Sequence, residues 1–107
     1  MRDFGFFSGD YIVDLTGGGI KTVTTAGTRV QLSTTESAVK GVIIQAIETN
    51  EGYIAYGGSD VVAAAATRKG CVLAAGESIL LPVHDLNKVY IDSTISGEKI
   101  SYLPIKG

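Results

Sequence analysis

The sequence predicts an all-β fold: an antiparallel β-sandwich of the jelly-roll or immunoglobulin-like kind, made of about eight short strands behind an extended N-terminal arm. Three observations point there. Short runs rich in Val, Ile, Tyr and Thr recur between Gly, Asn, Asp and Ser turn signals. Apolar residues make up 45% of the 107 and charged residues 19%, with 14 glycines, the composition of a small turn-rich packed domain rather than a disordered chain. Only one stretch tempts towards helix, and it is too short to stand alone.

Residues 1–19 read as the arm and 20–107 as the sandwich domain. In the arm, aromatics and aspartates alternate irregularly and end in Gly17-Gly18-Gly19, a flexible break before regular strand patterning. Phe4, Phe6, Phe7, Tyr11, Ile12 and Leu15 are too apolar for a solvated tail. They are the candidate partner-binding residues, expected to pack on their own domain or on a neighbouring subunit.

The strand runs follow in order: "IKTVT" (20–24), "TRVQL" (28–32), "KGVIIQAIE" (40–48), "YIAYG" (53–57), "CVLA" (71–74), "ESILLPV" (77–83), "KVYID" (88–92) and "ISYLP" (100–104). Val30 and Leu32 alternate with Arg29 and Gln31, the mark of a half-buried strand, whereas "GVIIQAI" is apolar on both faces and is expected to be central. Asn50-Glu51-Gly52 suggests a hairpin between the third and fourth strands. Gly57 and Gly58 close the fourth strand where the backbone could need positive φ, with Asp60 placed to bond the following turn. "DVVAAAATRKG" (60–70) is alanine-rich and ends in a glycine, but at this length it is expected to be an irregular or one-turn connection. Cys71, beside Val72 and Leu73, reads as a buried thiol acting as a small apolar residue. Asp85 and Asn87 are natural turn formers. Ala26-Gly27 before Val30 and Leu32 is echoed by Ala75-Gly76 before Ile79 and Leu81. Common turn grammar accounts for this, as would two related half-sheets.

Charge and motif content exclude several functions. A net charge of −2 with no basic run gives no electrostatic footprint for nucleic acid or an anionic membrane. One cysteine allows neither a disulfide framework nor a multi-cysteine metal site. The start lacks the continuous apolar core of a signal peptide, and no segment reaches the ~18 apolar residues of a membrane helix, so a soluble protein made in the cytoplasm is expected. Ser59, Asp60 and His84 invite a hydrolase reading. Gly57-Gly58-Ser59-Asp60, however, lacks the G-x-S-x-G elbow and its following helix. A single histidine argues against a closed zinc site, and Asp3, Asp10 and Asp14 are too widely spaced for a calcium loop. The glycine triplet leads into a strand rather than a phosphate-binding helix. No catalytic, cofactor-binding or metal-ligating residue is assigned. Tyr53, Tyr56, Tyr90 and Tyr102 leave an aromatic carbohydrate platform as a further candidate.

Taken together, "GTRVQLSTTESAVKGVIIQA", "GYIAYGGSDV", "LAAGESILLPVHDLNKVYIDS" and "ISYLP" resemble a phrase recurring in small virion structural proteins of tailed bacteriophages: head decoration or cement proteins and head-fibre domains. The likeness spans roughly residues 20–104. It rests on Tyr56, Gly57, Ser59, Asp60, Val61, Leu73 to Ser78 and Leu86 to Asp92, and departs in the alanine-rich Val62 to Lys69 and in the aromatic arm. The resemblance implies a β-sandwich, an oligomer with a trimer favoured, and a structural role in the virion after assembly in the host cytoplasm. The implied partner is the major capsid protein or another virion protein, with Phe4, Phe6, Phe7 and Tyr11 as anchors. The alternative it leaves is a tail-fibre or baseplate β-domain binding host-surface glycan, which Tyr53, Tyr56 and Tyr90 gathered on one face would favour.

Overall fold

The computed structural model describes residues 14–107. Every expected run carries a strand: β1 Gly19–Val23, β2 Val30–Gln31, β3 Gly41–Ala46, β4 Ile54–Gly57, β5 Cys71–Leu73, β6 Ser78–Leu81, β7 Tyr90–Ser93 and β8 Glu98–Ile105. They form two antiparallel four-stranded sheets, ordered β1-β8-β3-β6 and β2-β7-β4-β5. Inward residues of both meet in one core: Val23, Val42, Ile44, Ala46 and Ile100 from the first sheet against Ile54, Leu73 and Ile91 from the second. This is a β-sandwich.

The chain changes sheet at every connection except β4 to β5, so neighbours in sequence are mostly not neighbours in a sheet. The expected hairpin at Asn50-Glu51-Gly52 is therefore a crossing between sheets. The cause is Glu98, a buried acid at the start of β8, whose carboxylate accepts the Glu51 and Gly52 N–H groups at 2.9 and 2.6 Å. Asn50 also donates its side-chain amide to the Lys99 carbonyl. These bonds hold the link against the end of the first sheet and turn the chain over the edge.

The order of one sheet becomes that of the other when each strand number is advanced by four, eight wrapping to one: β1-β8-β3-β6 maps onto β5-β4-β7-β2. The halves β1–β4 and β5–β8 are thus intertwined and share one topology, each giving two strands to each sheet. The alanine-glycine echo falls on this relation. Gly27 and Gly76 both sit at positive φ (89° and 84°), in turns closed by Thr28 N–H to Thr25 O and Glu77 N–H to Ala74 O. Each turn feeds a strand at the edge of its sheet.

The two outer faces differ. Over the second sheet, residues 58–70 fold back as a cover, with the expected single turn of 3-10 helix at Ala65–Thr67. Val61 and Ala63 seal against Ala55, with Val72 and Tyr90 packed alongside. Asp92, buried on the outer face of β7, pins the cover by accepting the Ala63 N–H at 2.9 Å and holds the 25–28 turn through the Gly27 N–H at 2.9 Å. Arg29 and Arg68 add bonds to the Val61 and Ala63 carbonyls. The acid that fixes this loop is thus Asp92 rather than Asp60; the Val61 N–H is already held by the Gly58 carbonyl.

Positive φ likewise lies elsewhere than expected. Gly57 and Gly58 are ordinary backbone, and the left-handed residue is Gly70 at φ +103°, where a Cβ would stand 2.5 Å from the Tyr56 carbonyl oxygen. The reversal is made where the cover re-enters β5, against the end of β4. Cys71, expected to be buried, is exposed: it opens the short edge strand β5, where the sheet has no further neighbour to cover it.

Gly70→Ala should cost about 2 kcal/mol, from strain at positive φ and the contact with Tyr56, whereas Gly58→Ala, with open space at its Cβ, should stay within about 0.5 kcal/mol of the parent. Urea unfolding of the two variants reads the contrast. Asp92→Ala removes the acceptor of two backbone donors and should cost about 3 kcal/mol or more, with faster hydrogen exchange at Gly27 and Ala63.

Candidate functional site

Phe4, Phe6, Phe7, Tyr11 and Ile12 lie outside the described residues. Leu15, the remaining candidate, is 48% exposed beside the first sheet. Its segment is anchored one residue earlier, where Asp14 and Lys106 exchange backbone bonds at 2.7 and 2.9 Å. The Asp14 carboxylate accepts the Thr16 N–H and hydroxyl at 2.9 and 2.7 Å. Those bonds, first the backbone N–H and then the hydroxyl, with Lys106 adding a smaller electrostatic share, hold the carboxyl below its ordinary range.

Among the described residues, the outer face of the first sheet exposes a run of apolar side chains. Strand register places Ile20, Ser101, Gln45 and Ser78 in one row, and Leu103, Ile43 and Leu80 in the next. Ile20 is 62% and Leu80 45% exposed, with Ile43 and Leu103 half-buried between them. Gly19 and Ile20 on one side and Ile43, Gln45, Ser101 and Leu103 on the floor shape a shallow trough of about 400 Å³. β3 is central, as its doubly apolar pattern predicts, but its second face stays open. No described segment lies over the first sheet as residues 58–70 lie over the second.

A second, polar cleft of about 390 Å³ contains Ser59 with Gln31, Gly58, Asn87, Lys88 and Tyr90. Neither histidine nor carboxylate is among these residues, so the cleft does not assemble a Ser-His-acid triad around Ser59. His84 is exposed on the link after β6, where its carbonyl accepts the Val39 N–H. The neighbouring Asp85 is a clasp: one carboxylate oxygen accepts the Ser37 N–H at 2.9 Å and, as the cap of a 3-10 turn at Leu86–Lys88, the Asn87 N–H at 3.0 Å. The Asn87 and then the Ser37 N–H hold its carboxyl below the ordinary value, Lys88 adding less.

The four described tyrosines do not gather on one face. Tyr56 points inward onto the main core, where burial first, and then the charge and hydrogen bond of Cys71, push its hydroxyl pKa up. Tyr90 lies on the opposite face of the same sheet, against the cover, and Tyr102 packs on the main core from the first sheet. Tyr53 is exposed beside Arg68, whose guanidinium carbon stands 6.0 Å from the ring centre. The arrangement that would have favoured a glycan platform is absent from these residues.

Among the described residues no helix is long and apolar enough to cross a membrane. Comparisons with protein-family models, curated proteins and solved structures return no match. Sequence reasoning missed the trough as a site because Ile20, Leu80 and Leu103 come from three strands. The usable signal was the second apolar face of β3, read then only as burial.

Because the Asp85 carboxyl is depressed in the folded chain, its stabilisation is present above the ordinary value of 3.8 and is lost as pH falls through the folded value. Hydrogen exchange at Ser37 and Asn87 should accelerate over that acid window, and Asp85→Asn should flatten the dependence.

Proposed function

We propose that this chain is a non-catalytic structural protein of a tailed-bacteriophage virion, a head decoration or cement subunit that acts by binding other protein subunits. The observation that carries the reading is the open apolar trough on the first sheet. Exposed Ile20 and Leu80, continuous with Ile43 and Leu103, form a surface suited to a protein partner rather than to a small polar ligand. The described acids Asp85, Asp92 and Glu98 support it from the other side, since their carboxylates are engaged in holding loops. The phage assignment is supported by the turn-and-strand phrase. Its Leu73 to Ser78 stretch supplies the end of β5, a tight turn and the start of β6, and its Leu86 to Asp92 stretch a 3-10 turn and most of β7.

A cut after residue 13 keeps the Asp14–Lys106 bridge and all of β1, whereas a cut after residue 19 would remove the bridge and the first residue of β1. The full chain should co-sediment with shells assembled from the major capsid protein encoded beside it. The chain lacking residues 1–13, and the Ile20→Asp, Leu103→Asp double variant, should remain in the supernatant while keeping the parent far-ultraviolet spectrum. Equal pelleting of all three, or of none, would remove the proposal.

A further inference from the structure

The pseudo-symmetry of the sandwich indicates what belongs in the trough. The cover of the second sheet is the segment leading into β5, the strand at that sheet's edge. Advancing strand numbers by four makes β1 the counterpart of β5, so the counterpart of the cover is the segment leading into β1. That segment holds Phe4, Phe6, Phe7, Tyr11 and Ile12. Its apolar content matches the face left open: Ile20, Ile43, Leu80 and Leu103.

The direction of the chain decides which molecule supplies it. The mutual Asp14–Lys106 bonds make this pair antiparallel, so the chain preceding Asp14 is aimed past Lys106 and Gly107, away from the trough. Gly9-Asp10 is the nearest pair before the bridge composed for reversal. A return from there would travel ~13 Å out at ~3.3 Å per residue and bring Phe4 back only ~3 Å past Asp14. Leu103, three residues from Lys106, would still lie ~7 Å further on. On the same chain the three phenylalanines therefore fall short of the trough. A second copy brings no such restriction, since the same contact is then made between molecules, as in domain swapping.

We infer that the trough lined by Ile20, Ile43 and Leu103, with Leu80 on the neighbouring strand, receives the aromatic N-terminal segment, residues 4–12, of a second copy of this chain. The inference rests on the reading of the trough as a protein-docking face, but not on the virion assignment. Each copy donates one segment and offers one trough, so the exchange builds a homo-oligomer, and the segment does for the first sheet what residues 58–70 do for the second.

The test uses full-length chains carrying Cys71→Ser, so that no native thiol competes. One chain carries Phe7→Cys and the other Ser101→Cys, on the trough floor; they are mixed and mildly oxidised. A disulfide-linked heterodimer is expected, falling about tenfold in yield when the acceptor also carries Ile20→Lys. Ile20 is 62% exposed, so this variant should fold, and its circular dichroism checks that it has. When both cysteines are placed in one chain, the link should again run between molecules. By light scattering the parent should be oligomeric and the chain lacking residues 1–13 monomeric. A disulfide confined within one chain, no disulfide, or a monomeric parent would overturn the inference. Cross-linking between copies without any binding to shells would leave the inference standing and remove the virion proposal; shell binding by a monomeric parent would do the reverse.

Discussion

Asp92 stands on the outer face of β7 with both carboxylate oxygens committed to backbone donors, one to Gly27 and one to Ala63. Burying a carboxylate costs several kcal/mol unless its lone pairs are satisfied, and two charge-assisted bonds to N–H groups meet that requirement. Much of the second sheet depends on the arrangement. Through Gly27 the acid fixes the turn that feeds β2, and through Ala63 it draws the cover down so that Val61 and Ala63 shield Ala55. Glu98 plays the same part at the sheet crossing near Gly52, and Asp85 does so between Ser37 and the 3-10 turn at Leu86–Lys88. A sandwich of short strands, some only two or three residues long, has few ladder bonds to hold its loops, and acids that accept from loop backbone supply the missing restraint.

The same device divides the molecule into two unlike faces. The second sheet is closed by a cover attached at both ends, to β4 and to β5, whereas the described part of the corresponding segment of the first sheet is an extended run from Asp14 bonded to the end of β8. Topologically equivalent sheets thus present one covered face and one apolar face over which no described segment lies. Ser59 belongs to the covered side, in a polar cleft lined by neither histidine nor carboxylate. In the stretch that most resembles a catalytic turn in sequence, Gly57 abuts Val61 and Gly70, and the positive-φ backbone is at Gly70.

Strand positions were legible because each strand has its own period-two pattern and turn residues at its ends, both local properties. That locality also explains the failures. Asn50-Glu51-Gly52 has hairpin composition, yet a carboxylate 46 residues away at Glu98 makes it a crossing. Gly57-Gly58 has the composition of a positive-φ turn, but the reversal falls on Gly70, where β4 and β5 come together. Cys71 has apolar neighbours, but its exposure follows from β5 having a partner on one side only. The trough was half legible: Ile43 announced a second apolar face on β3, while its neighbours Ile20, Leu80 and Leu103 come from β1, β6 and β8.

By itself the sequence determined the fold class, the eight strands and the short irregular link at 60–70. Each follows from alternation and turn chemistry acting within a few residues. Only the tertiary structure decided how the strands divide between sheets, which acids are buried as clasps, and which apolar face is left uncovered. Those outcomes depend on contacts between distant parts of the chain, such as the 65-residue separation between Gly27 and Asp92, and a single strand's pattern shows that a residue is apolar without showing what, if anything, will cover it.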